Sequence, residues 1–167
     1  MSTMTTNTMP QTQPKSGLFT LRRASIALTI IGMLVTGYLS YNKLFAAPLV
    51  CVEGGMFNCD VVINSRWSYL LGIPVAYLGF MIHFVPFMLL MFESRVRFLQ
   101  NYNTVLIFGI LLFGFIYHCY LTYISVFVLR ALCQWCLAAH LTVGIHLIIA
   151  TYRLLRSMKD TATAAAA

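Results

Sequence analysis

The sequence contains very little charge. Only 9% of its 167 residues are charged, whereas 60% are hydrophobic. An ordinary soluble domain is about one quarter charged, and a fold of this size could not hide so much apolar surface from water. The same composition excludes an intrinsically disordered chain, because such chains are rich in charge and poor in large apolar residues. The composition therefore indicates an integral membrane protein.

Acidic residues are scarce, and several familiar motifs are absent. The 4 Asp and Glu residues stand against 11 Lys and Arg residues, and no two acidic residues are placed for acid–base catalysis or for a metal. There is neither a G-x-G-x-x-G motif nor a P-loop. The segment C-Q-W-C-L lacks the His that completes a c-type haem site. These absences argue against nucleotide-binding, c-type haem and carboxylate chemistry.

The charged residues divide the chain into four uncharged blocks, each long enough for one membrane span. The blocks contain 19, 26, 32 and 22 residues, and a helix needs about 20 residues to cross the hydrocarbon core. The predicted fold class is therefore all-α and integral to the membrane, a bundle of four transmembrane helices. The predicted spans are 24–42, 73–92, 104–128 and 132–152, with one large external loop at 43–72.

The basic residues predict the orientation of this bundle. An even number of spans puts both termini on one side, and that side carries eight of the 11 Lys and Arg residues. The positive-inside rule then places both termini in the cytoplasm, so the basic surplus needs no nucleic acid to explain it. We predict a disordered cytoplasmic tail at 1–20, a membrane domain at 21–156 and a short cytoplasmic tail at 157–167.

Four of the cysteines form two pairs on the predicted external face. Cys51 and Cys59 lie in the external loop, and Cys133 and Cys136 form a C-x-x-C at the external mouth of the fourth span. This is the oxidising face of a bacterial or endoplasmic reticulum membrane. Residues three apart share a helix face and can form a disulfide, and a helix N-terminus stabilises a thiolate. A flexible loop could carry the first pair over the second for thiol–disulfide exchange.

Other interpretations of the four external thiols stay open. The two pairs could be inert structural disulfides, or all four thiolates could form one zinc site. Zinc is less favoured, because its ligands would have to stay reduced in an oxidising compartment. The fifth cysteine, Cys119, lies in the third span and is interpreted as a small buried hydrophobic residue.

Aromatic and imidazole side chains near the C-x-x-C are candidate contacts for a lipid-soluble oxidant. His140 follows Cys136 by four residues and could hydrogen-bond a quinone carbonyl or help to protonate the reduced product. Packing against a neighbouring helix is the alternative role. Trp67 approaches the second span, where it could belong to an interfacial belt or cap a quinone pocket. His83 and His118 are more simply explained by interhelical hydrogen bonds.

At these residues the sequence resembles the vitamin K epoxide reductase family. The resemblance covers residues 20–155, and the G-I-P-V-A stretch is similar to the bacterial branch. The residues that carry it are Cys51-x7-Cys59-Asp60-x-Val62, Ser65-Arg66-Trp67, Gly72-Ile73-Pro74-Val75-Ala76-x-x-Gly79 and Cys133-Gln134-Trp135-Cys136.

The resemblance implies a four-helix bundle around a quinone, ubiquinone or menaquinone. It implies that Cys51 exchanges with a thioredoxin-like partner, that Cys59 attacks Cys133, and that Cys136 reduces the quinone. It also puts Ser68 roughly where the family has a polar quinone contact. The position of His140 is typically a tyrosine in animal members.

The sequence thus predicts a quinone-dependent thiol oxidase of the bacterial inner membrane, with its redox sites at the periplasmic face. Many bacterial members carry a fused thioredoxin-like domain and this chain shows none, so the expected partner is a separate periplasmic DsbA-like protein. One alternative is reduction of a quinone epoxide by thiols. Another is a non-enzymatic metal carrier or assembly factor that uses the thiols as ligands.

Overall fold

The fold is a bundle of four long helices with a small structured loop at one end. The structure, a computed structural model, describes residues 16–52, 54–93, 95 and 97–165. In chain order it contains α1 (Ser16–Phe45), α2 (Cys59–Ile63), a 3-10 turn (Arg66–Ser68), β1 (Tyr69–Leu70), β2 (Ile73–Pro74), α3 (Val75–Phe92), α4 (Arg97–Tyr123), a π-helical turn (Ile124–Leu129) and α5 (Gln134–Ala165).

The helices confirm the predicted fold class. In the described part of the chain, four helices are long and apolar enough to cross a membrane, and each overlaps one predicted span. They are Thr20–Phe45, Val75–Phe92, Tyr102–Leu129 and Gln134–Lys159. Of the predicted N-terminal tail, residues 1–15 lie outside the described residues, and residues 16–20 are helical.

The four long helices form a ring around an apolar core. Helices α1 and α4 each pack against both α3 and α5. Buried residues recur every three or four positions on each helix, as expected for one inward-facing stripe. Leu90, Leu111 and Val143 are fully buried at the centre of the ring. Large apolar side chains such as Leu34 and Ile148 point outward, where lipid covers them.

The segment between α1 and α3 folds over one end of the bundle, which we call the loop end. Here β1 and β2 form a hairpin whose turn residues, Leu71 and Gly72, both have positive φ, as a two-residue hairpin turn requires. Pro74 precedes the first residue of α3, so this helix begins two residues later than the predicted span. The opposite end, where α1 begins and α5 ends, is the terminal end.

Candidate active site

The two loop cysteines form a disulfide, with their Cα atoms 6.3 Å apart. Cys59 is the first residue of α2, and only 2% of it is exposed. The preceding residue, Asn58, caps this helix, because its side-chain oxygen accepts a hydrogen bond from the Val61 amide at 3.1 Å. The cap defines where α2 begins and therefore where the Cys59 sulfur lies.

A short parallel backbone pairing joins the loop to the turn before α5. The Asn58 amide donates to the Leu132 carbonyl at 3.0 Å, and the Leu132 amide donates to the Met56 carbonyl at 2.8 Å. Cys59 and Cys133 are the next residues along the two paired segments. Because paired strands lie about 4.8 Å apart, this pairing holds the segment that leads to Cys59 beside the segment that leads to Cys133.

The dipeptide between the two C-x-x-C cysteines holds the loop backbone on both sides of the first loop cysteine. The Gln134 side chain accepts a hydrogen bond from the Val52 amide and donates one to the Val50 carbonyl, each at 3.4 Å. The Trp135 indole donates to the same Val50 carbonyl at 2.9 Å and packs on the Tyr38 ring at 4.9 Å. The loop that was predicted to swing over the C-x-x-C is therefore docked on it.

The two C-x-x-C thiols are free, and they differ in chemical state. The Cys136 thiol donates a hydrogen bond to the Cys133 sulfur, and the backbone amides of Cys136 and Trp135 donate to it as well. These bonds lower the pKa of Cys133 from its ordinary value of 9.0 to about 7, although burial raises it. The amides are the free donors at the start of α5, as the sequence analysis expected for this pair.

Beside these thiols lies a largely apolar cavity enclosed by all four long helices. Its volume is about 1020 Å³, counting the space at its mouth, which suits a small apolar ligand. Cys133 and Cys136 both line it. Its other polar walls belong to Thr36, Lys43, Ser65, Trp67, Ser68, Tyr117, His118, Thr122 and Ser125.

Trp67 and Ser68, both predicted as quinone contacts, line this cavity from the loop end. The Trp67 ring lies under the Arg66 guanidinium at 4.7 Å. The Ser68 hydroxyl donates to the main-chain carbonyls of Ser65, at 2.7 Å, and of Ile63. Because a hydroxyl has one proton to donate, Ser68 can offer a ligand only its acceptor oxygen while these bonds persist.

His140 faces α4 and is not among the residues that line the cavity. Its Nδ1 lies 3.1 Å from the Thr122 hydroxyl, its Nε2 lies 3.6 Å from the Cys119 sulfur, and its ring stacks on His118 at 5.6 Å. The preceding residue, Ala139, does line the cavity, and one further residue turns a helical side chain by about 100°. A direct contact between His140 and a quinone stays a prediction, whereas His118 is at the wall.

The position of Cys119 shows that its interpretation as a buried residue was wrong. Its side chain is exposed on the outer surface of α4 rather than buried. The apolar surroundings that suggested burial are lipid-facing, and the sequence pattern alone does not separate lipid from protein as the covering medium.

The structure also bears on the zinc interpretation. Within the described ranges, no group of three or more His, Cys, Asp or Glu side chains is placed to hold a metal ion. The disulfide occupies the sulfurs of Cys51 and Cys59, so a site with four thiolate ligands cannot form in this redox state.

The described geometry joins an oxidised loop pair, a reduced helix-start pair and an apolar cavity in one continuous site. The model of the vitamin K epoxide reductase family matches residues 23–151 of this chain, from α1 to α5 and across both cysteine pairs. The chain therefore belongs to the vitamin K epoxide reductase family, a family of membrane oxidoreductases.

Proposed function

We propose that this protein is a thiol:quinone oxidoreductase. It passes electrons from a thioredoxin-like protein through Cys51 and Cys59 to Cys133 and Cys136, and on to a membrane quinone. One observation carries this proposal: an oxidised loop pair is docked on a reduced C-x-x-C that lines an apolar cavity. An inert structural bundle has no need for a disulfide-bonded loop that is docked on the segment of a free dithiol.

The first half of the reaction is thiol–disulfide exchange. A partner thiolate attacks Cys51, and Cys59 leaves as a thiolate. Cys59 attacks the Cys133 sulfur of the oxidised C-x-x-C, and Cys136 leaves. The second partner thiol then releases Cys51, which closes on Cys59 and frees Cys133. Two electrons have moved from the partner to the C-x-x-C, and the resulting state is the one described above.

The second half of the reaction re-forms the Cys133–Cys136 disulfide. The Cys136 sulfur can react with a quinone only as its proton leaves, and the Cys133 thiolate, which accepts a hydrogen bond from this thiol, is the base beside it. A bound quinone supplies the chemistry of a two-electron, two-proton acceptor. The apolar cavity wall excludes water from the thiols during this step.

The polar residues of the cavity wall can bind and orient the quinone. Trp67 lies at the loop-end rim, where its ring can cover a flat ligand. Tyr117 and His118 can donate hydrogen bonds to a carbonyl. His140 stacks on the His118 ring and is hydrogen-bonded to the Thr122 hydroxyl. It therefore orients the His118 ring, whether or not it also contacts the quinone. These groups fit ubiquinone and menaquinone alike.

We place the loop end at the periplasmic face of a bacterial inner membrane. The support is the distribution of basic residues, since eight of the 11 Lys and Arg residues belong to the terminal end or to the segments beyond it. On this face the partner would be a DsbA-like protein that makes disulfides in secreted proteins. The protein would keep that partner oxidised.

The test is anaerobic mixing of the purified protein with a reduced thioredoxin-like protein and excess ubiquinone or menaquinone. Quinone reduction is followed spectroscopically in wild type and in the four single Cys→Ser variants of the two pairs. We expect turnover to be lost in all four, whereas Cys119→Ser keeps it. With dithiothreitol as the reductant, the Cys51→Ser and Cys59→Ser variants should recover turnover, because a small thiol reaches the C-x-x-C directly.

Absence of turnover in correctly folded wild type with either quinone would overturn this proposal. Dithiothreitol-driven reduction of a quinone epoxide without thiol oxidation by quinone would favour the epoxide reductase alternative. Zinc bound at a one-to-one ratio in the purified protein would favour the metal carrier.

A further inference from the structure

A set of buried polar side chains occupies the bundle between the cavity and the terminal end. His83, His146 and Ser25 are fully buried, each with 0% exposure. Among the described residues, neither ring nitrogen of either histidine has a hydrogen-bond partner, and the Ser25 hydroxyl has none. Imidazoles buried in a membrane bundle without partners are costly, so such residues are usually kept for a function.

The upper end of this set adjoins the segments of α1 and α3 that line the cavity. Ile82 lines the cavity, and His83 is the next residue on α3. The His83 ring packs flat against α1 at Gly32, where a Cβ atom would lie only 2.2 Å from it. Thr36, one turn above on α1, is itself a cavity residue.

The lower end of the set reaches the terminal end of the bundle. Arg153 follows His146 by seven residues, about two helical turns, so both side chains lie on one face of α5. Arg153 is buried and forms a 3.5 Å salt bridge to Glu93, which forms another of 3.5 Å to Arg22. The Glu93 side chain is 25% exposed. The Arg22 side chain is 34% exposed, so this ion pair is where the set meets the outside.

We call this set, together with the charged or titratable groups at its two ends, the column. Every long helix contributes a titratable or charged group to the column. They are Arg22 on α1, His83 on α3 with Glu93 at its end, His118 on α4, and His146 and Arg153 on α5. Buried polar groups in proteins that lack a protein partner are satisfied by internal water. Water between imidazole rings makes a chain along which protons move, because each ring can accept a proton and release another.

We propose that His83 and His146 conduct protons from the terminal end to the quinone site. This inference rests on the proposed function. Each dithiol oxidised at the loop end releases two electrons and two protons there. The quinone takes up those two electrons, and its two protons come through the column from the opposite face. The reaction then moves charge across the membrane instead of only exchanging disulfides.

The test uses full-length protein in quinone-containing liposomes with a pH dye in the lumen and with valinomycin and K⁺ to remove the membrane potential. Reduced thioredoxin-like protein is added outside, so that only molecules with an outward loop end react. We expect the lumen to become alkaline by about two protons for each quinone reduced. Quinone reduction without any lumenal pH change would overturn the inference and leave the proposed function intact. No quinone reduction would overturn both.

Two substitutions distinguish proton conduction by the two histidines from a purely structural role in packing. His83→Gln and His146→Gln keep a polar side chain of similar length but cannot relay a proton at neutral pH. We expect each to abolish the lumenal pH change and to slow quinone reduction by about a hundredfold. Thr151→Val on α5, whose hydroxyl donates to the Leu147 carbonyl of the same helix, is the matched control and should change neither. Unaltered lumenal proton uptake in both His variants would overturn the inference.

A second measurement needs no quinone and no turnover. Radiolytic hydroxyl-radical footprinting modifies side chains that contact water, including internal water. We expect His83 and His146 to be modified in quinone-free protein despite their burial, and the fully buried apolar Leu111 to be protected. Protection of both histidines to the level of Leu111 would show a dry column and overturn the inference.

Discussion

Cys133 and Cys136 belong to one motif, yet their sulfurs stand in different environments. α5 begins at Gln134, so Cys133 immediately precedes the helix and its sulfur receives the amides of the first turn. Cys136 lies inside that turn and acts as a donor to Cys133. The position of the helix start therefore decides which thiol ionises first.

This asymmetry predicts the pH dependence of the reduced protein. Because the pKa of Cys133 is lowered to about 7, its thiolate predominates above that pH and is lost below it. We expect the ultraviolet absorbance of the thiolate, and the single-turnover rate of quinone reduction, to rise together as the pH increases through about 7. Cys119→Ser should leave this profile unchanged. A midpoint near the ordinary thiol value, in protein with Cys119 removed, would contradict the assignment.

The indole N–H of Trp135 predicts a second effect at the residue scale. Trp135→Phe removes the hydrogen bond to the Val50 carbonyl but keeps an aromatic ring against Tyr38. One such bond contributes about 1 kcal/mol, so we expect partner-driven turnover to fall by roughly fivefold. Turnover with dithiothreitol, which bypasses the loop, is the internal control. An equal loss with both reductants would show that Trp135 acts on the C-x-x-C itself.

At this scale the sequence located the two cysteine pairs but not the contacts that position them. The two cysteine pairs and the benefit of a helix start could be predicted from spacing and topology. The docking of Gln134 on the loop could not, because it joins residues more than 80 positions apart. His118, and not His140, is among the residues that line the cavity, because of how α4 and α5 are rotated about their own axes. Hydrophobic periodicity determines such rotations only coarsely.

At the scale of elements, α1 packs tightly against α3 at Gly32, where α1 lacks a side chain. Gly32→Ala would put a Cβ atom 2.2 Å from the His83 ring, whereas Gly37→Ala on the same helix would put one 3.7 Å from Phe80. We expect the first substitution to destabilise the protein by about 1–3 kcal/mol through overpacking, and the second to be tolerated. Thermal unfolding in detergent measures both. Equal melting temperatures for the two variants would contradict this packing.

The hairpin of β1 and β2, and with it the start of α3, was not predicted from the sequence. The predicted second span began at residue 73, but residues 73 and 74 pair with β1 and the helix starts at Val75. Two-residue strands carry too little alternation to be recognised from sequence. The Leu71–Gly72 turn also lacks the Asn-Gly or Asp-Gly signal of such hairpins.

At the scale of the whole molecule, Glu93 connects three helices at the terminal end. It forms salt bridges with Arg22 of α1 and Arg153 of α5, each at 3.5 Å. Glu93→Gln leaves the buried Arg153 without its counter-charge, so we expect a loss of stability of about 2 kcal/mol. Glu93→Gln combined with Arg153→Met should recover part of it, because no unpaired charge is then buried. Thermal unfolding compares wild type, the two single variants and the double variant, and additive losses would contradict the coupling.

The number of spans and the fold class followed directly from composition, because apolar length and charge separation determine how a chain meets a bilayer. The arrangement of helices around the ring did not follow from it. Because of that arrangement, His83 and His146 are both buried inside the bundle, although they lie on helices that are not neighbours in the ring. From the sequence alone, His83 was explained most simply by an interhelical hydrogen bond, and nothing in the sequence pointed to a partner for His146.

The pairing of the loop with Leu132 has a consequence for how this protein can evolve. Its hydrogen bonds, Asn58 to Leu132 and Leu132 to Met56, join main-chain groups. Main-chain bonds persist through most side-chain replacements, so the solvent-facing side of the loop is free to diverge while Cys59 is still delivered to Cys133. Descendants of one ancestral sequence could thereby acquire new protein substrates by changing loop surface residues alone, with no change inside the bilayer.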